Sequence, residues 1–191
     1  VTPDGVPVVW ALRLLGVRQA SRVYGPELTP FVCGQAAEAG IPVGFYGGSP
    51  AALEACVRTM RGRFPALRVA YQCSPPFRAA TAAEEAETVA AINASGARIL
   101  FVGLGCPKQE RWMAAHRGKV GAVMLGVGAA FDFLAGTKRQ APRWMMNSGL
   151  EWAFRLGTEP RRLARRYLYH NPRYVAGLLR QLASHRLARG S

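Results

Sequence analysis

The chain has 191 residues, half of them hydrophobic, and a formal net charge of +14. That length holds one full-sized domain with a small appendage, and the apolar half suffices for a sizeable core. The longest apolar runs fall short of the roughly eighteen residues a spanning helix needs, and Val1-Thr2-Pro3-Asp4-Gly5 lacks the charged-then-apolar layout of a signal peptide, so the chain reads as soluble.

After the Asp4-Gly5 turn, residues 6–15 place apolar groups at helical spacing and end at Gly16. A second helix is expected from about Glu27 to Ala39, closing at Gly40. Short apolar strands then alternate with helices. Val43–Tyr46 reads as a strand, Gly47-Gly48 as its turn, and Ser49 as the cap of a helix over Pro50–Arg63. Leu67–Tyr71 is the next strand, followed by a helix over about Ala82 to Ala94. Ile99–Gly103 is a fully apolar strand with a helix from about Pro107, and Ala122–Gly126 is another, with a short helix around Ala129–Leu134. Strands apolar on both faces, alternating with helices, predict an α/β fold: a Rossmann-like parallel sheet with helices on both faces. In such sheets ligands gather at the carboxyl ends of the strands.

From Arg143 the pattern becomes helical only, and two or three helices are expected, punctuated by Pro160 and Pro172. Residues 138–191 carry 12 Lys and Arg against 2 Asp and Glu, whereas residues 1–137 carry 13 against 9. The expected organisation is therefore an α/β catalytic domain over 1–142 and a basic helical appendage over 143–191. A basic tail attracts the phosphates of nucleic acid, lipid head groups or pyrophosphate, and charge alone does not choose among them.

Four places can carry chemistry. Asp4 can act as a base toward a hydroxyl, or serve simply as a helix cap on an Asp-Gly turn. In LFVGLGCPKQE a strand runs into Gly103 and Gly105, and Pro107 opens a helix whose first turn carries Lys108, Gln109 and Glu110. Glycine backbone and a helix start suit a diphosphate, and Gln109 suits a sugar or base edge; a plain strand-to-helix turn is the alternative. In GVGAAFDFLAG, Gly128 follows a strand and Asp132 stands between Phe131 and Phe133, placed either for a ribose or uracil edge or as a buried cap. Finally, Arg139, Arg143, Arg155, Arg161, Arg162, Arg165 and Arg166 are interleaved with Trp and Tyr, a mixture suited to pyrophosphate or an anionic membrane interface.

Other classes fit less well. Lys108 stands where a dinucleotide fingerprint has its third glycine, and twenty residues beyond Gly103 stand Ala122-Val123 rather than an acidic ribose partner, which weighs against an oxidoreductase. A nucleic-acid-binding module would use the tail, but its Trp-rich apolar spacing suits packing or membrane better than groove reading. No Asp-x-Asp occurs, and Cys33, Cys56, Cys73, Cys106, His116, His170 and His185 are scattered, so no metal or cofactor is expected and the thiols read as reduced core residues.

Taken together, PDGVPVVWALRLLG, RVYGPEL, GFYGGSP, SPPF, VGLGCPKQERW, GVGAAFDFLAG, RQAPRWM, GLEWAFRL and EPRRLARRYL resemble the WecG/TagA/CpsF glycosyltransferases, in the family's order from Pro3 to about Leu168. The resemblance implies inverting transfer of N-acetylmannosamine, or its uronic acid, from a UDP donor to undecaprenyl-diphosphate-linked N-acetylglucosamine, for teichoic acid, common antigen or exopolysaccharide. It implies that Asp4 is the catalytic base, Arg22 an active-site arginine, Gln109 a pocket glutamine and Asp132 a nucleotide-side residue. The expected substrate-binding set adds to Asp132 the residues Gly47, Gly48, Gly103, Gly105, Pro107, Lys108, Glu110, Gly128, Arg139, Arg143, Arg162 and Arg165. The appendage is expected to close over the site and touch the membrane, which places the protein in the cytoplasm, peripheral on the inner face of the cell membrane; no nucleic-acid partner is implied, and homo-oligomers are compatible. Family members carry a Thr/Asn-containing segment before PDG, which this chain is expected to lack, and RQAP stands where RAP is commoner.

Overall fold

The computed structural model describes residues 2–189. Its elements are α1 (Val6–Leu14), α2 (Gly25–Glu38), β1 (Val43–Gly47), α3 (Pro50–Arg63), β2 (Val69–Cys73), α4 (Ala82–Ala94), β3 (Ile99–Gly103), α5 (Lys108–Ala115), β4 (Val123–Gly126), α6 (Ala130–Leu134), α7 (Arg143–Asn147), α8 (Glu151–Thr158) and α9 (Pro160–Arg189). They fall into two compact units, Tyr24–Arg139 and Val1–Val23 together with Gln140–Ser191. This division differs from a boundary at 142/143 in grouping the first 23 residues with the C-terminal helices.

The unit Tyr24–Arg139 is a four-stranded sheet in the order β2-β1-β3-β4, parallel at every pairing. Alternation along the strands makes two cores. Val43, Phe45 and Phe101 face α2, α3 and α6, packing with Cys33, Met60 and Phe131. Tyr46, Leu100 and Val102 face the other way, against Ile92 of α4 and Trp112 of α5. Helices on both faces are thus present, as expected. Phe45 stacks on Phe101 with centroids 5.0 Å apart, and Tyr46 meets Trp112 at 4.7 Å. Each such fully buried side chain contributes about 2 kcal/mol of transfer free energy.

Local chemistry accounts for the helix starts. Ser49 Oγ accepts from the Ala52 N–H at 3.2 Å, with Pro50 preset for the first helical position. Thr81 and Glu84 close a capping box at the start of α4, and two hydrogen bonds from Arg78 help hold the Glu84 carboxyl down to about 2. One strand begins later than its apolar run: Leu67 donates its N–H back to the Phe64 carbonyl, so Leu67 and Arg68 complete the turn after α3 and β2 starts at Val69. The thiols also divide, contrary to a uniform core reading. Cys33 and Cys56 are buried, which pushes both up to about 12, whereas Cys73 is half-buried and Cys106 exposed.

In the other unit, α1 and α7–α9 bury Val9, Ala11, Met146 and Leu163. Trp10 lies against Gly149: a Cβ there would come within 3.0 Å of the indole, and Gly149 has a φ of +74°. The Tyr174 hydroxyl donates to the Pro7 carbonyl at 2.9 Å. Pro160 opens α9 as expected, but Pro172 does not interrupt it. Proline removes one N–H, which leaves the Leu168 carbonyl without its helical donor, and Leu168 is exposed enough for water to take that place. No helix among the described residues is long and apolar enough to cross a membrane.

Candidate functional site

At the carboxyl ends of β1 and β3 the sheet is built to bring backbone close to backbone. Gly47 pairs in register with Gly103, and a Cβ on Gly47 would stand 2.6 Å from the Gly103 carbonyl carbon. Gly47 also has a φ of +120°, which side chains rarely adopt. The Gly48 N–H donates to Gly103 O at 3.0 Å, and the Ser74 hydroxyl donates to Gly48 O at 2.6 Å. Beneath them lies Phe131, fully buried: a Cβ on Gly103 would meet its ring at 2.7 Å, and one on Gly48 at 3.2 Å. The glycines are therefore required by this ring and by the backbone crossing. The same absence of side chains leaves main-chain groups as the material of this end of the sheet.

Gln109 is buried at the start of α5. Its amide oxygen accepts from the Gly128 N–H at 2.9 Å, and its amide nitrogen donates to Glu110 Oε1 at 3.0 Å. It thereby ties the loop after β4 to the helix after β3. Lys108 and Glu110 are exposed on the same first turn, which Pro107 caps without a side-chain hydrogen bond, and Gly105 has open space where a Cβ would be. Asp132 is half-buried and pairs with Lys138 at 3.4 Å, while its carbonyl accepts from the Thr137 hydroxyl at 2.9 Å. Arg139 is exposed.

The unit that holds residues 1–23 contains a cluster of charges. The Val23 N–H donates to the Pro3 carbonyl at 2.8 Å, which sets Asp4 beside Arg22. Arg22 Nε donates to the Asp4 main-chain oxygen, and its Nη2 lies 3.9 Å from the Asp4 carboxylate. That nitrogen is engaged more closely by Glu151 Oε2, at 2.5 Å, and the other Glu151 oxygen pairs with Arg155 at 3.0 Å. Asp4 does not cap α1, whose cap position is Gly5 with no side-chain bond. Its side chain is 73% exposed, yet the protein around it raises its pKa: lost hydration is the main cause, Glu151 adds to it, and Arg22 and Arg155 oppose it. A reachable carboxylate raised in this way is suited to taking a proton.

Arg143 and Arg165 are exposed, and the side chain of Arg162 lies outside the described residues. Arg173 covers the ring of Tyr169 at 3.6 Å. Among the described residues no group of three or more His, Cys, Asp and Glu could hold a metal ion. Sequence reasoning missed three residues here. Phe131 reads merely as a neighbour of Asp132, and Lys138 as tail charge. Glu151 left one usable trace: it is one of two acids in residues 138–191 and stands four residues before Arg155.

Comparison with known proteins bears on what these two sets of residues serve. The model of the glycosyl transferase WecG/TagA/CpsF family matches residues 1–188. A curated relative, the N-acetylglucosaminyldiphosphoundecaprenol N-acetyl-beta-D-mannosaminyltransferase of Bacillus spizizenii, is 29% identical over 181 residues, which cover 94% of this chain and 68% of the relative.

Proposed function

The chain belongs to the WecG/TagA/CpsF family of glycosyl transferases, and from that premise we propose that it transfers N-acetylmannosamine, or its uronic acid, from UDP to undecaprenyl-diphosphate-linked N-acetylglucosamine. Asp4 takes the proton of the acceptor's 4-hydroxyl as that oxygen bonds to the anomeric carbon. The bond from the anomeric carbon to the diphosphate oxygen breaks with its electron pair, UDP departs from the opposite face, and the configuration inverts. The observation that carries this role is the geometry of Asp4: a carboxylate of raised pKa, reachable from solvent, held by its main chain against Arg22.

The glycine-lined sheet end is assigned to the UDP moiety. Gly47, Gly48, Gly103, Gly105 and Gly128 offer backbone, Gln109 keeps the Gly128 loop in place, and Pro107, Lys108, Glu110, Asp132 and Arg139 surround it in sequence. The Gly48 and Gly128 N–H groups are bonded to Gly103 O and to Gln109, which fixes these loops, so that a leaving diphosphate meets a site that needs no rearrangement during reaction. Arg143, Arg162 and Arg165 are assigned to diphosphate groups.

Helix α9 is assigned to an anionic membrane surface, and the proposal includes a peripheral location on the inner face of the cell membrane, beside a lipid-linked acceptor. Leu168, Val175 and Leu179 are exposed and recur at spacings of seven and four residues, which puts them on one helical face, with Arg165 at its edge and Arg173 and Arg180 further round the helix. Binding to vesicles with anionic lipid that salt weakens supports this; equal partition onto neutral vesicles overturns it.

The test of the whole reading is transfer of labelled N-acetylmannosamine from UDP onto the lipid-linked acceptor, with calorimetry of UDP binding in the presence and absence of EDTA. Transfer that survives Asp4→Ala would sink the base, and an absolute need for Mn²⁺ or Mg²⁺ would sink the reading in which the glycine loops and Arg143, Arg162 and Arg165 meet the diphosphate charge without a metal.

A further inference from the structure

Glu151 is a carboxylate with no assigned part in the reaction, although it is engaged by two arginines. Its side chain is only 16% exposed, and each of its oxygens holds a different guanidinium. Arg22, one of the two, has its Nε on the Asp4 main chain and its Nη2 between two carboxylates. That nitrogen is 2.5 Å from Glu151 and 3.9 Å from Asp4. A guanidinium fork meets a carboxylate best in a bidentate grip, and Arg22 already sits within reach of one with Asp4.

We propose that Glu151 is a positioning residue, which holds the Arg22 and Arg155 guanidinium groups and so keeps Arg22 from closing on the Asp4 carboxylate. The proposal deepens the reading of Asp4 as the base and rests on it. An aspartate gripped by arginine is both a weaker base and an occluded one. With Glu151 in place, Arg22 fixes the Asp4 main chain while its charge is largely answered elsewhere. Arg22 from the segment before α2, and Glu151 and Arg155 from α8, are the charged groups that act on Asp4 among the described residues, and Glu151 is the acid of the three.

The chain has only two aspartates, Asp4 and Asp132, so the Asp4 carboxyl carbon can be assigned by its loss in Asp4→Asn and titrated by ¹³C NMR in the full 191-residue chain. Glu151→Gln is expected to move the Asp4 midpoint to lower pH, because a neighbouring negative charge is gone and Arg22 is released toward Asp4. Glu151→Asp, which keeps the charge, is expected to stay nearer the wild-type midpoint. In the Arg22→Gln background the effect of Glu151→Gln should shrink to the direct Coulomb part; this double variant leaves neither partner of the pair as an orphaned charge and so guards against misfolding. An unmoved midpoint in Glu151→Gln, or an undiminished shift in the Arg22→Gln background, overturns the proposal.

In the transfer assay, kcat/KM of Glu151→Gln should fall roughly 10²-fold, with its acid limb moved to lower pH. A loss with an unmoved limb would mean a structural role alone and would also overturn it. If instead Asp4→Asn transfers normally, the base reading fails, while the titration still decides whether Glu151 governs Asp4.

Discussion

The two units are built around their candidate site residues by opposite means. At the sheet end of the unit Tyr24–Arg139, side chains are removed: Gly48 and Gly103 lie over one buried ring, Phe131, and Gly47 lies against the Gly103 backbone. In the unit with the chain's first residues, charges are added and then balanced, with Asp4, Arg22, Glu151 and Arg155 as one network. The difference teaches where each region is vulnerable. The glycine floor is exposed to steric change, since there is no space for a Cβ and packed interiors relax poorly. The charged cluster is exposed to electrostatic change, since the little-exposed Arg22 and Glu151 balance each other's charge and a change of sign would leave one of them unanswered.

The sharpest way to break that comparison is Asp4→Asn. Transfer should fall by roughly 10²- to 10⁴-fold, while the stability read by urea unfolding stays within about 0.5 kcal/mol, because the side chain is mostly exposed. A large loss of stability would mean that the charged cluster is structural after all. Next is Phe131→Ala, which should cost about 3–5 kcal/mol by the same unfolding measurement, since it empties the space under Gly48 and Gly103. Gly47→Ala should cost about 2–3 kcal/mol, from its positive φ and from contact with Gly103 backbone. If it proved neutral, the floor would be looser than the distances state. Gln109→Ala should cost about 1–3 kcal/mol and should speed amide exchange at Gly128, whose N–H loses its acceptor.

Much of the first region was legible in the sequence. A strand that runs into paired or alternating glycines is a local pattern, and so is the cap Ser49, which the structure places where the pattern implies. The second region was only half legible. Asp4 stands out on its Asp-Gly turn and Arg22 on the family resemblance alone, but Glu151 lies 129 positions from Arg22 and its meaning comes from that distant pairing. No periodicity encodes such a contact. Phe131 escaped for a related reason: in FDF the acid draws the eye, whereas the ring's role depends on glycines from β1 and β3. Pro172 misled in the other direction, since proline lowers helix stability locally and yet the helix continues across it.

The placement of the four tryptophans gives the comparison an optical form. Trp10, Trp144 and Trp152 all belong to the unit with the chain's ends, and each is at least 45% exposed. Trp112 belongs to the sheet unit, is 8% exposed, and stacks on His116 with centroids 4.3 Å apart. Iodide should therefore quench the emission of the first three and leave Trp112 almost untouched, so that a single chain reports on its two units at once. In a denaturant titration the quenchable emission follows the helices and the protected emission follows the sheet. Coincident transitions would mean one cooperative protein, and separate ones would mean two parts that melt on their own.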